Sequence, residues 1–203
     1  KRIKKINPDI IIVCQGNIEF SLKGLFVSKL LKKTTVSYIP FGYSFYKMNS
    51  KLSSIRDFIN QYYYNLPNFF ITPSLCQKNE ILKKIKHQNI SIINNPIHIS
   101  PSTVKFNKEN TIKLGLIGRI NFKHKNQIIS ITIANKLKSL NIPFKITIIG
   151  DGEDLFKLKK IVKKNKLTNN FIFYKWMNKS ELNKIIKDNI DIVLVPSKFE
   201  TGI

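Results

Sequence analysis

A glycine, an arginine and a lysine stand close together in the stretch Gly118-Arg119-Ile120-Asn121-Phe122-Lys123-His124-Lys125-Asn126-Gln127. The apolar run before it, 112–117, reads as a buried parallel strand, and a helical pattern is expected to begin near Asn126. Glycine at the end of such a strand lets backbone come close to a ligand, and a new helix N-terminus attracts anions. Two fixed cations six residues apart at that mouth suit a diphosphate. Arg119 is singled out by scarcity. Of 35 Lys+Arg, only Arg2, Arg56 and Arg119 are arginines. The planar guanidinium binds phosphate with two prongs where an ammonium is a point charge. A merely solvated basic loop would carry lysine at 119 as the rest of the chain does.

Such a loop works only if rigid elements hold it, and the pattern supplies them. Short apolar runs are read as strands at 10–14, 35–39, 69–72 and 90–93. Between them, helical spacing is read at 22–31 and 52–64, with Leu52, Ile55, Phe58 and Ile59 on one face of the second. A further helix opens at Ser74, with Gln77 three residues on as in a capping box. The alternation resumes with strands at 112–117, 144–149, 171–174 and 191–195. Helices are expected at 126–140 and from Gly152 to about Lys166, and a third is capped by Asn178 with Glu181 at its third position. Strands separated by helices of about 10–15 residues imply βαβ units and parallel sheets. The C-terminal ends of the last four strands carry Gly, Pro, Ser or charge, which places a ligand crevice along that edge.

The stretch from Asn94-Asn95-Pro96 through Ser100-Pro101-Ser102 to Asn110 lacks periodicity and reads as a linker. It divides the chain into residues 1–104 and 105–203. The fold class expected is α/β, two Rossmann-like parallel-sheet domains, both incomplete. The chain opens on Lys1 and stops just after Gly202, and reads as a piece of something longer.

Composition narrows the partners. Hydrophobic content of 42% and aromatic content of 11% belong to a folded protein. No apolar run approaches the ~20 residues that cross a bilayer, and no signal peptide opens the chain. A cytoplasmic protein, peripheral at an inner membrane face, is expected. The net charge of +23 would attract nucleic acid, anionic lipid or phosphorylated small molecules. The lysines are spread with Ile and Asn rather than gathered into an arginine-rich, aromatic-interleaved stripe, so no nucleic acid is expected. An anionic membrane surface fits better, because lysines near an anionic leaflet gain about 1 kcal/mol each. Cys14 and Cys76 lack metal spacing and are expected as buried reduced thiols. His87, His98 and His124 form no ligand cluster, so no metal site is expected.

Three blocks of the rear segment carry a resemblance. They are Gly118-Arg119 with Lys125-Asn126-Gln127, then Ile148-Ile149-Gly150-Asp151-Gly152-Glu153, then Val195-Pro196-Ser197-Lys198-Phe199-Glu200-Thr201-Gly202. In this order the segment from 112 to 203 resembles the nucleotide-sugar-binding domain of the family 4 glycosyltransferases, the retaining enzymes of GT-B fold. Asn7-Pro8-Asp9, Phe70-Ile71-Thr72-Pro73-Ser74 and Ile92-Ile93-Asn94-Asn95-Pro96 look, more loosely, like that family's acceptor-domain landmarks. The resemblance implies transfer of a sugar from a nucleotide diphosphate to a glycan or lipid-linked acceptor in envelope polysaccharide synthesis. The nucleotide sugar is then a substrate, and no cofactor is implied.

By the same resemblance Arg119, Lys125 and Glu200 are catalytic, the two cations meeting charge on the leaving phosphate. Gly118, Gly150, Asp151, Gly152, Trp176, Met177, Ser197, Thr201 and Gly202 are implied to bind the donor. The Gly150-Asp151-Gly152 turn has a second explanation, a helix start whose acids the macrodipole favours. A lone Trp is also an ordinary core residue. The family's second motif glutamate falls beyond Ile203, and the stretch Pro40-Phe41-Gly42-Tyr43 lacks the histidine many relatives hold there; Tyr38 and Tyr43 are unassigned candidates. Competing readings are a GT-B-like nucleotide-sugar epimerase, a basic nucleic-acid-binding module, and a dehydrogenase. The last fails because Gly115-Leu116-Ile117-Gly118 is only half a dinucleotide fingerprint, with Arg119 and Lys125 in the turn.

Overall fold

The computed structural model describes residues 2–87, 89–96 and 110–200. Thr201, Gly202, His98 and most of the expected linker lie outside the described residues. The chain divides into two units, Lys1–Ile99 with Glu200–Ile203, and Ser100–Phe199.

The first unit runs α1 (Arg2–Ile6), β1 (Ile10–Cys14), α2 (Leu22–Leu30), β2 (Thr34–Tyr38), α3 (Ser53–Tyr63), β3 (Phe69–Thr72), α4 (Leu75–Leu82) and β4 (Ile90–Ile92). Its sheet has the order β1-β2-β3-β4 with every pair parallel, Val13 beside Ser37 and Tyr38 beside Ile71. Val13, Leu25, Phe70 and Ile81 are buried in its core. The apolar stripe of α3 is present but exposed. The buried residue of that helix is Asn60, which donates to Glu19 at 2.9 Å. Arg56 adds two bonds to the same carboxylate, at 2.9 and 2.5 Å, and lies 3.7 Å over the Phe45 ring. A carboxylate drawn inward needs those donors, and they turn the helix's polar side toward the unit.

The second unit runs β5 (Ile112–Ile117), α5 (Ile129–Ser139), β6 (Phe144–Ile149), α6 (Leu155–Lys164), β7 (Phe171–Tyr174), α7 (Lys179–Asn189) and β8 (Ile192–Val193). Its sheet is parallel with the order β7-β6-β5-β8. Leu114, Leu116, Ile131, Ile146, Ile148, Leu158 and Val162 form one core beneath α5 and α6. Both units are therefore α/β with four parallel strands, as the alternation of runs predicts.

Several expectations need correction. α5 begins at Ile129, three residues after the expected start, because Asn126 takes a left-handed conformation (φ 54°) that a helix cannot contain. β8 is two residues long instead of five, an edge strand paired only at Leu114–Ile192 and Gly115–Val193. Both cysteines are free and exposed. Cys14 ends an edge strand, and Cys76 sits in the first turn of α4, its sulfur 3.4 Å from the Tyr43 hydroxyl. The two expected helix caps are made: Ser74 Oγ accepts the Gln77 N–H at 3.4 Å, and Asn178 Oδ1 accepts the Glu181 N–H at 3.0 Å. Gln77's side chain also accepts from the Gly42 N–H at 2.7 Å and donates to the Glu200 carbonyl at 2.9 Å. Among the described residues no helix is long and apolar enough to cross a membrane.

Candidate functional site

Strand order points to a candidate position for a ligand. From β5 the chain builds outward through β6 and β7 on one side, then returns to place β8 on the other. The connections therefore leave in opposite directions at β5 and β8, and ligands of open α/β sheets bind beyond the strands' C-terminal ends at such a switch point. The loop after β5 is the 118–128 segment, and the loop after β8 carries Pro196 to Phe199.

Gly118 follows β5 with φ 137°, and the space its side chain would fill is open. That combination suits close approach of a ligand to backbone. The next residues run alongside the turn after β6. Gly118 N–H donates to the Ile149 carbonyl at 2.9 Å, and Ile120 N–H donates to the Asp151 carbonyl at 2.8 Å. The two loops are so close that a Cβ at Gly150 would strike the Gly118 carbonyl, and one at Gly152 the Ile120 carbonyl. Loop-to-loop contact is thus a sufficient reason for both glycines. Gly150 N–H in turn donates to the Tyr174 carbonyl at 3.0 Å, which ties in the end of β7.

Side chains brace the same loop from beneath. Gln127 is buried; its amide donates to the Arg119 carbonyl at 2.8 Å and its oxygen accepts the Asn121 N–H at 3.1 Å. Asp154, at the start of α6, accepts the Phe122 N–H at 2.9 Å and pairs with Lys157 at 3.0 Å. The Phe122 N–H, followed by Lys157, holds its carboxyl below the usual carboxylate range. Asn121 Oδ1 accepts the His124 N–H at 2.7 Å, and Lys125 N–H donates to the Asn121 carbonyl at 2.8 Å.

The strand-end loop at 196–199 closes the other side. Lys198 N–H donates to the His124 carbonyl at 2.9 Å, Asn126 Nδ2 donates to the Pro196 carbonyl at 3.3 Å, and the His124 and Phe199 rings meet edge to face at 6.0 Å. His124, which between Lys123 and Lys125 reads in sequence as an exposed spacer or a phosphate contact, is instead half-buried and buttresses the turn that carries Lys125.

At the mouth, the Arg119 side chain is 75% exposed, with its Nε 3.4 Å from Glu153. Asn121 also donates to Glu153, whose carboxyl lies below its ordinary range, chiefly through its own backbone N–H, then through Asn121 and the Arg119 charge. Asp151 is exposed and accepts the N–H of Gly152 at 2.7 Å. Trp176, just past β7, is 65% exposed and not a core residue; Met177 beside it is half-buried. Ser197 is half-buried in the loop after β8. Glu200 counts with the first unit, whereas Arg119, Lys125, Gly118, Gly150, Asp151, Gly152, Trp176, Met177 and Ser197 all belong to the second. Among the described residues no group of three or more His, Cys, Asp or Glu side chains could hold a metal ion.

Gln127, Asp154 and Asn121 are the supports that residue type alone does not assign. Gln127 carries a signal: an amide directly after a cationic turn can serve backbone donors and acceptors at once.

Comparison with known proteins bears on the fold. Residues 102–202 match the family model for glycosyl transferases group 1. No curated protein matches the chain. Among solved structures, the apo lipopolysaccharide outer core galactosyltransferase WaaB is similar with a TM-score of 0.68 and 21% identity, covering 99% of this chain and 53% of that one. A point mutant of S. aureus TarM, in complex with fondaparinux, alpha-GlcNAc-glycerol and UDP, gives 0.73 and 22%, covering 98% and 40%. The pneumococcal O-GlcNAc transferase GtfA, in complex with UDP and GlcNAc, gives 0.67 and 15%, covering 98% and 40%. At these identities the likeness is one of fold, that of GT-B glycosyltransferases. The chain spans about half or less of the length of these structures.

Proposed function

We propose that this chain is part of a retaining glycosyltransferase that moves a sugar from a nucleotide diphosphate to a glycan or lipid-linked acceptor of envelope polysaccharide synthesis. The observation that carries the reading is that the loop after β5, the turn after β6 and the segment 196–198 after β8 hydrogen-bond to one another, with Arg119 and Lys125 on the first of them. Breaking a sugar–diphosphate bond gathers charge on the departing β-phosphate, and fixed donors aimed at that charge lower the barrier. Arg119 offers the forked contact and Lys125 the point charge, so the reading needs no cofactor and no metal. Arg119's weak pairing with Glu153 keeps the guanidinium at the mouth until a stronger anion displaces the carboxylate.

In this reading the backbone at Gly118 and the Gly150-Asp151-Gly152 turn approaches the donor, while Trp176 and Met177 flank its base. The resemblance assigns Ser197, Thr201 and Gly202 to donor binding, and Glu200 to the donor sugar or phosphates. UDP in the TarM and GtfA structures makes uridine donors the first to try.

The test is turnover of a panel of sugar nucleotides by the longest product containing this chain, with the product anomer read by NMR. Arg119→Ala and Lys125→Ala each lower kcat about 100-fold or more, comparable to losing an oxyanion donor. Wild-type turnover in either variant contradicts the site. Epimerised free sugar nucleotide in place of transferred sugar contradicts the reaction.

A further inference from the structure

The segment spanning α6 and the turn after it holds the richest ten-residue run of cations in the chain. Lys157, Lys159, Lys160, Lys163, Lys164 and Lys166 are six of the ten residues 157–166, against 35 Lys+Arg in all 203. No acidic residue lies between Asp154 and Glu181.

The helix separates its residues cleanly. Leu158 and Val162 are buried in the core, with Leu155 and Ile161 packed beside them. Opposite them, at helical spacing, stand Phe156, Lys160, Lys163 and Lys164, all exposed. Phe156 is 78% exposed, an aromatic ring left in water amid ammonium groups. Two flanking lysines are engaged locally, Lys157 with Asp154 and Lys159 over the Phe173 ring at 5.3 Å. Among the described residues, Lys160, Lys163 and Lys164 pair with no carboxylate, so their charge faces outward uncompensated.

We propose that this face of α6 docks the protein on an anionic lipid surface, with Phe156 entering the headgroup layer and Lys160, Lys163 and Lys164 meeting lipid phosphates. The charge complementarity is direct, and an exposed Phe among lysines has a use at a membrane interface that it lacks in water. Nucleic acid is the weaker match. The face holds no arginine for forked phosphate contacts, and a single Phe gives successive bases no series of stacking platforms. None of these residues belongs to the proposed donor site, so the inference stands or falls apart from it.

The experiment is sedimentation of the full chain with vesicles of phosphatidylglycerol and phosphatidylcholine, and with phosphatidylcholine alone, at 0.15 M salt. Binding is expected only to the anionic vesicles. The Lys160→Gln/Lys163→Gln/Lys164→Gln variant is expected to weaken it about 100-fold, at roughly fivefold per lysine. An equally charge-reduced control, Lys179→Gln/Lys184→Gln/Lys187→Gln on α7, is expected to weaken it far less. Phe156→Ser lowers binding further, and the fluorescence of Phe156→Trp in a Trp176→Phe background shifts to the blue on vesicles. Equal loss in the two triple variants, absence of binding to anionic vesicles, or tighter binding to duplex DNA at the same salt with no dependence on Phe156 would each overturn the proposal. Circular dichroism of the variants confirms that the fold is kept.

Discussion

Gln127 and Arg119 are joined by a 2.8 Å hydrogen bond from the buried side-chain amide to the exposed residue's carbonyl. The same Gln127 side chain receives the Asn121 N–H at 3.1 Å. One amide therefore fixes both ends of the short segment on which the guanidinium stands, and gives Arg119 its direction although its side chain is mostly in water.

Replacing Gln127 with Ala leaves the Arg119 carbonyl and the Asn121 N–H without that partner. The expected outcome is a stability loss of about 1–3 kcal/mol and at least tenfold weaker binding of a nucleoside diphosphate. Gln127→Glu keeps the acceptor and loses the donor, so it falls between the two. Denaturant unfolding and calorimetric titration check this; a Gln127→Ala protein that binds like wild type would show that the brace does not matter.

Asp154 gives the loop a pH dependence. Its carboxyl is held below the ordinary value of about 3.9, first by the Phe122 N–H and then by Lys157. A depressed carboxylate stabilises the fold fully above that ordinary value and loses the contribution as pH falls through its own lower one. Wild type is expected to exceed Asp154→Asn in stability by on the order of 1 kcal/mol at neutral pH. The gap should narrow below about pH 4. Unfolding curves across that acidic range that show a constant gap would remove the carboxylate from the account.

Gly150 tests the loop-to-loop contact. It has φ 140°, and a methyl group there meets the Gly118 carbonyl. Gly150→Ala is expected to cost about 1–3 kcal/mol from backbone strain alone, and more from the collision. Thermal unfolding measures it. A variant as stable as wild type would mean that the two loops can separate without penalty.

The strands are legible in the sequence because they are short apolar runs flanked by turn residues, and Ile112–Ile117, Phe144–Ile149 and Phe171–Tyr174 have the bounds their runs suggest. The direction of α3 is not. Periodicity places Leu52, Ile55, Phe58 and Ile59 on one stripe, but the inward side is decided by Glu19, more than thirty residues away, and its bonds to Arg56 and Asn60. The start of α5 is hidden for a similar reason. Asn126 satisfies the pattern of a helix start, while its left-handed backbone and its bond to the Pro196 carbonyl depend on a segment seventy residues on. Arg119 is legible through its rarity, which is chemical information carried by one position. Gln127 is marked only by its place directly after the cationic turn, whereas Asp154 acts on the Phe122 N–H thirty-two residues back and no local pattern reports that pairing.

The most direct measurement compares the affinity of the chain for a nucleoside diphosphate with that for the matching monophosphate, in wild type and in Arg119→Ala and Lys125→Ala. If positive side chains of the 118–127 loop neutralise the second phosphate, wild type binds UDP at least tenfold tighter than UMP, and each substitution erases most of that difference while leaving UMP affinity nearly unchanged. Equal affinity of wild type for the two nucleotides, or a preference for UDP that survives both substitutions, would contradict the account.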